Sequence, residues 1–128
     1  MRLLLDTHLL LWAAGRSHML SKEATDLIAD FDNEIAFSVV SLWEIAIKNT
    51  LGRSDFSVDL RLLRRRLLDS GYHEISVLGD HAVALEALPL RHKDPFDRLL
   101  IAQAMVESMT LLTADATVAS YGGPVRKV

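Results

Sequence analysis

Four acids in this chain have the type and placement to do chemistry together: Asp6, Glu44, Asp97 and Asp115. Asp6 directly follows the apolar run Leu3-Leu4-Leu5, and Glu44 lies near the start of the helical stretch after a second strand-like run. Asp97 falls in the first turn of a helix opened by Pro95, and Asp115 closely follows a fourth strand-like run. They are far apart in the chain, yet each takes the same place relative to its element. Hard divalent cations bind oxygen, and Mg²⁺ keeps several waters while using only one or two carboxylates directly. Two or three of these acids could ligate or orient an ion while another positions an attacking water. The ion would stabilise negative charge developing on a phosphodiester. Zinc fits less well, because no two of His8, His18, His73, His81 and His92 have the spacing of a zinc-binding helix. The histidines read as surface or packing residues.

Each acid also has a structural explanation of its own. Asp6 and Asp115 fit helix N-caps, and Glu44 fits the acid of a capping box with Ser41 or an i,i+4 partner of Lys48. Asp97 fits the preference of a helix N-terminus for negative charge, an effect of about 0.3–1 kcal/mol. Jointly these explanations weaken, because gathering carboxylates at one edge raises a repulsion that a divalent cation removes. The residues leave two classes open: a metal-dependent enzyme, or a non-catalytic binding module whose acids are only caps.

The elements that must position these acids alternate. Strand patterns cover 3–5, 34–38, 73–77 and 110–113, with a fifth, edge strand at 124–128. Between them lie helical patterns over 7–14, closed by Gly15, from Ser21 as cap to about Phe31, over 39–51, closed by Gly52, and over 59–70, closed by Gly71. A helix over 80–88 stops before Pro89, one over 96–109 follows Asp94 as N-cap and Pro95 as first helical residue, and a short one spans 115–120. Strands alternating with helices predict an α/β fold, a three-layer α/β/α sandwich with a mainly parallel sheet of four to five strands. In such a sheet, strand C-termini and helix N-termini gather at one edge, and the four acids land there.

Composition bounds the rest. With 128 residues, half of them hydrophobic, the chain reads as a single domain over 1–128 with a core of its own. The absence of cysteine excludes disulfides and thiolate metal sites and points to the cytoplasm. The apolar run at 9–14 is far too short to cross a bilayer, and the N-terminal residues do not read as a signal peptide. A net charge of −3 argues against coating nucleic acid by bulk electrostatics, so contact with it must be local.

Four segments carry a family resemblance: Leu4-Leu5-Asp6-Thr7-His8, the run Ser41-Leu42-Trp43-Glu44-Ile45-Ala46-Ile47-Lys48, the stretch from His92-Lys93-Asp94-Pro95-Phe96-Asp97-Arg98 through Ala104, and Leu111-Leu112-Thr113-Ala114-Asp115. With these the chain resembles a PIN-domain nuclease along its whole length, and more narrowly the VapC-like toxins of bacterial toxin-antitoxin pairs. The Asp-Pro-Phe-Asp-Arg segment is the most specific part. The resemblance implies a Rossmann-like α/β/α fold, endoribonuclease activity, and Mg²⁺ or Mn²⁺ held by acids. Matched position by position, the family's acids fall on Asp6, Glu44, Asp97 and Asp115, and Thr7 and Thr113 match hydroxyl positions beside them. Asp94 is either a further contributor to the ion site or the N-cap before Pro95. The resemblance also implies an RNA substrate, an antitoxin protein as partner and a homodimer.

Arg91, Lys93 and Arg98 flank the acids in sequence and are candidates for RNA phosphate contact. Arg61, Arg64, Arg65 and Arg66 fit either a solvated helix face or a contact surface. The segment 9–12 is apolar on all sides and needs cover. A Mg²⁺-dependent phosphatase of the haloacid dehalogenase type is disfavoured, because His8 stands where a second Asp is expected. A receiver domain is disfavoured because the first strand ends in one acid.

Overall fold

A computed structural model describes residues 1–52 and 56–128. Five parallel strands form one sheet in the order β3-β2-β1-β4-β5, with β1 at Arg2–Leu5, β2 at Glu34–Ser38, β3 at His73–Ile75, β4 at Thr110–Thr113 and β5 at Val125–Lys127. The helices are α1 (Thr7–Gly15), α2 (Lys22–Ala29), α3 (Val39–Thr50), α4 (Leu60–Asp69), α5 (Gly79–Ala84), α6 (Pro95–Glu107) and α7 (Ala116–Ala119). The α/β class and the parallel sheet are as the alternation of patterns requires.

Side-chain alternation along β1 divides the core in two. Leu3 and Leu5 pack with Leu9, Leu10, Phe37, Ile45, Leu63 and Leu67 on one face of the sheet. Leu4 packs with Val40, Leu100, Ile101, Ala104 and Met109 on the other. Each of the three strand leucines is wholly buried, consistent with a central parallel strand covered on both faces. The segment 9–12 is largely covered by its own chain, with Leu9 and Leu10 buried and Leu11 and Trp12 half-buried against the first core.

Element ends depart from expectation where side chains intervene. The second helix stops at Ala29, short of Phe31, because Asp30 takes an extended backbone and its carboxylate accepts from Asp32 N. The third strand ends at Ile75, and the Ser76 carbonyl instead accepts from Gln103 Nε2. The helix expected over 80–88 starts at Gly79 and gives way to a 3₁₀ turn at Leu85–Ala87, where Arg98 also donates to the Leu85 carbonyl. A further 3₁₀ turn, Ser17–Met19, had no pattern to announce it. The sixth helix ends at Glu107, two residues before the expected Met109, because Ser108 adopts φ 55° and turns Met109 into the core. Gly52 and Gly71, with φ 69° and 87°, take the left-handed backbone their chain positions suggest.

Candidate metal centre

Asp6 continues directly from β1, and its backbone N–H still reaches the Leu112 carbonyl at 3.1 Å. It then caps α1, Oδ1 accepting from Leu9 N at 2.9 Å, while Oδ2 accepts from the Thr113 hydroxyl at 2.6 Å. The side chain is therefore both a cap and a buried, oriented carboxylate. Burial pushes its pKa up, opposed by the bonds from Thr113 and Leu9 and by His8, while the charge of Asp115 adds to the rise. Thr113 is fixed from the other side, since Asp115 N donates to its hydroxyl at 3.0 Å.

Glu44 sits in the second turn of α3 and is 5 % exposed. Its Oε1 accepts from Thr7 Oγ1 at 2.8 Å and its Oε2 from Lys48 Nζ at 2.9 Å. Thr7 Oγ1 also lies 2.9 Å from Ser41 Oγ. With a single proton on Thr7, the three groups are satisfied when Ser41 donates to Thr7 and Thr7 to Glu44. The N-cap of α3 is Ser38, and Ser41 lies inside the helix. The capping-box explanation for Glu44 thus fails, while its pairing with Lys48 is present.

The segment before α6 brings three donors together. Asp94 is the N-cap, Oδ1 accepting from Phe96 N at 2.8 Å and Asp97 N at 3.3 Å. Asp97 Oδ2 lies 2.8 Å from His92 Nε2. One ligand atom from each of His92, Asp94 and Asp97 falls within 4.8 Å of the others, and among the described residues this is the group close enough for one ion. Asp6, Glu44 and Asp115 stand outside that tight group; the charges of Asp6 and Glu44 reach Asp97, whereas that of Asp115 reaches Asp6. The Asp97 carboxyl is pushed up to about 6, first by burial and then by the charges of Asp94, Glu44 and Asp6, with the His92 bond opposing.

Asp115 is exposed and caps the short α7, Oδ1 accepting from Thr117 N at 2.7 Å and Val118 N at 3.2 Å. Among the described residues, Asp97 Oδ1 and the second oxygen of Asp94 receive no protein donor. Partly buried carboxylates with oxygens left open, in a field of like charge, suit a hard divalent cation.

His92 is the residue the sequence reading missed. Zinc-binding helices hold their ligands at helical spacing, whereas this imidazole lies in a loop and reaches Asp97 across the helix cap. Its sequence signals are proximity to Asp94 and Asp97 and its place at the head of the segment that carries the family resemblance. His81, by contrast, is a packing residue, wholly buried, with Nδ1 accepting from Leu78 N at 2.9 Å.

The flanking cations divide. Arg98 donates to the carbonyls of Pro89 and Leu85 and to Tyr121 Oη, and Arg91 donates to the Ser120 carbonyl. Lys93 is exposed, with no ion pair or hydrogen bond among the described residues. Arg64 pairs with Glu74, whereas Arg61, Arg65 and Arg66 face solvent. Next to Lys48 and His8 opens a cleft of about 480 Å³, with Trp12, Phe56, Leu62 and Arg66 among its walls.

Solved structures with this fold include VapBC2 from Rickettsia felis bound to a DNA fragment of its promoter, with a TM-score of 0.72 and 16 % identity, covering 100 % of this chain and 99 % of that one. A toxin-antitoxin complex from Klebsiella pneumoniae gives a TM-score of 0.65 at 19 % identity, covering 96 % and 94 %. VapBC-5 of Mycobacterium tuberculosis, from the VapBC family of toxin-antitoxin systems, gives 0.63 at 22 % identity, covering 99 % and 97 %. A search of curated proteins finds no match. The sequence itself matches the PIN domain over residues 3–124, nearly its whole length, and the chain belongs to the PIN domain family.

Proposed function

We propose that this protein is a metal-dependent endoribonuclease and the toxin of a toxin-antitoxin pair, the whole of 1–128 acting as one PIN domain. The observation that carries the reading is the surroundings of Asp97: it is partly buried, which raises its pKa, and the charges of Asp94 in the same helix cap and of Glu44 and Asp6 from two distant parts of the chain raise it further. Such convergence destabilises the protein without a cation and is expected of a site built for one. A bound Mg²⁺ or Mn²⁺ supplies Lewis-acid stabilisation of the phosphodiester transition state.

The protein's own groups prepare that chemistry. Asp97 and Asp94 offer open oxygens to the ion. Asp6 and Glu44, held by Thr113, Leu9 N, Thr7 and Lys48, have fixed orientations from which to align water on the scissile phosphate. Asp115, exposed at the rim, completes the acidic set. Without an ion these charges repel phosphate, so cleavage depends on the cation. Lys93, exposed and without an ion pair among the described residues, is the first choice for RNA contact, with Arg91 and Arg98 holding its loop.

The partner reading follows from the solved relatives, which are toxin-antitoxin assemblies. The cleft beside Lys48, with apolar walls at Trp12 and Phe56 and a cationic rim at Arg16 and Arg66, suits an antitoxin segment. Trp43 and Ile47, exposed on α3, suit a second copy of the chain. No helix among the described residues is long and apolar enough to cross a membrane. A cytosolic site of action completes the proposal.

The test is cleavage of RNA by the purified full chain with Mg²⁺ or Mn²⁺, with EDTA, and with Asp6→Asn. Ion-dependent cleavage lost in the variant is expected. An ion-binding protein that leaves every RNA intact would instead be a non-catalytic module.

A further inference from the structure

The four acids expected from the sequence account for an all-oxygen site, but the donors that lie closest together include a nitrogen. We propose that His92 is a direct ligand of the divalent ion, beside Asp94 and Asp97, and that it gives the centre a preference for Mn²⁺ over Mg²⁺. The inference rests on the ion site assigned above and names what that reading left open, the identity of the ion.

Geometry supports direct ligation. In an octahedral shell with bonds of about 2.1 Å, neighbouring ligand atoms sit about 3 Å apart and opposite ones about 4.2 Å. His92 Nε2 and Asp97 Oδ2 are 2.8 Å apart, close to the spacing of neighbours, and the three donors lie within 4.8 Å of one another, near the span of such a shell. To receive an ion at their shared edge the pair needs the imidazole neutral with its proton on Nδ1, so that Nε2 presents a lone pair. An ion placed there replaces the hydrogen bond between them with two metal bonds.

The loop is built to hold the imidazole in place. Tyr121 Oη lies 3.1 Å from His92 N, 3.3 Å from Arg91 N and 3.1 Å from Arg98 Nη1. Arg91 and Arg98 further tie the loop to the Ser120, Pro89 and Leu85 carbonyls. The His92 side chain is 23 % exposed and that of Asp97 20 %, so both are partly withdrawn from water, and each meets the other at 2.8 Å. Preorganised donors of this kind select an ion by its chemistry.

The nitrogen sets the preference. Mg²⁺ demands oxygen and gives up water reluctantly, whereas imidazole is a good ligand for first-row transition ions. Two carboxylates and an imidazole therefore favour Mn²⁺ relative to an all-carboxylate site, where the two ions compete more evenly. Replacing His92 with an oxygen donor removes the distinction.

The experiment uses the full chain with Mn²⁺ as probe. Pulsed EPR of bound Mn²⁺ is expected to show ¹⁴N modulation, replaced by the ¹⁵N pattern when histidine is ¹⁵N-labelled. That signal should vanish in His92→Gln and persist in His8→Gln. Titration should show the Mn²⁺ dissociation constant rising about tenfold in His92→Gln, with that for Mg²⁺ changing less than about twofold. Absence of histidine nitrogen modulation in the unmutated protein, its persistence in His92→Gln, an equal loss for both ions, or no bound Mn²⁺ at all would each overturn the assignment. If His92→Gln fails to fold, His92→Asn takes its place, and histidine nitrogen modulation that persists in it overturns the assignment. RNA cleavage is measured in parallel: nitrogen ligation without cleavage sinks the nuclease reading alone, and cleavage without nitrogen ligation sinks this one alone.

Discussion

The Thr113 hydroxyl donates to Asp6 Oδ2 at 2.6 Å while accepting from Asp115 N at 3.0 Å, so one side chain on β4 links acids that follow two neighbouring strands. Thr113→Val keeps the shape and removes the donor. A hydrogen bond to a buried charge contributes about 1.5–3 kcal/mol, so the variant should lose about that much stability at neutral pH. The bond favours the ionised form of Asp6, so the penalty is present while Asp6 is charged and shrinks as acid protonates it. Denaturant melts of Thr113→Val and Thr113→Ser across pH 4 to 8 check this. Serine should restore most of the loss, and an equal loss at every pH would mean packing alone is affected.

Asp97 gives a pH-dependent stability of opposite sign. Its carboxyl is raised from 3.8 to about 6 in the folded state, which binds the proton more tightly than the unfolded chain. The stabilisation is complete below about 3.8 and is lost as pH rises through about 6, a change of order 3 kcal/mol. In EDTA, Asp97→Asn should therefore melt at or above the unmutated protein at pH 7.5, with the gap closing toward pH 4.5. A variant that melts several degrees lower at pH 7.5 would show that Asp97 is a structural residue.

Ion binding should stabilise the native state by mass action. At ten times the dissociation constant, Mn²⁺ is expected to add about 1.4 kcal/mol, or roughly 5 °C in Tm. The response should be much reduced in Asp97→Asn. Asp94→Asn separates two roles, since Asn caps a helix about as well as Asp. Its Tm in EDTA should stay within about 2 °C of the unmutated protein while its response to Mn²⁺ falls. An undiminished response would confine Asp94 to the cap.

Lys48 and Glu44 form a pair in which the base is 39 % exposed and the acid 7 %. Removing the lysine leaves a buried carboxylate with Thr7 as its one donor among the described residues. Lys48→Met is expected to cost about 1 kcal/mol in EDTA, and bound Mn²⁺ should recover part of it by supplying positive charge near Glu44. Equal destabilisation with and without ion would separate Glu44 from the centre.

The cations near the site should split by role. Arg98→Ala removes donors to two carbonyls and to Tyr121 Oη and should lower Tm by several degrees. Lys93→Ala should leave Tm unchanged, weaken RNA binding and reduce the salt slope by about 0.7. An unchanged slope in Lys93→Ala would remove it from the RNA surface.

Sequence alone determined the alternation of elements, the parallel sheet and the positions at which acids follow strands, because these are local matters. Three consecutive leucines between polar flanks can only be a doubly covered strand here, and Asp94-Pro95 starts a helix wherever it lies. Glu34–Ser38 and Thr110–Thr113 were legible to the residue because each is an apolar run bounded by turn or cap residues. Contacts between distant segments were decided only by the tertiary structure. No periodicity links Thr113 to Asp6 across 107 positions, or Thr7 to Glu44 across 37. The end of α6 at Ser108 was hidden because a left-handed turn usually announces itself with glycine. His92 was hidden for a related reason: a loop imidazole has no helical or strand spacing to read. Only the tertiary structure shows its backbone held by Tyr121 and its ring nitrogen meeting Asp97. Local pattern chooses the element, but which side chains meet is set by how the elements bury their apolar faces against one another.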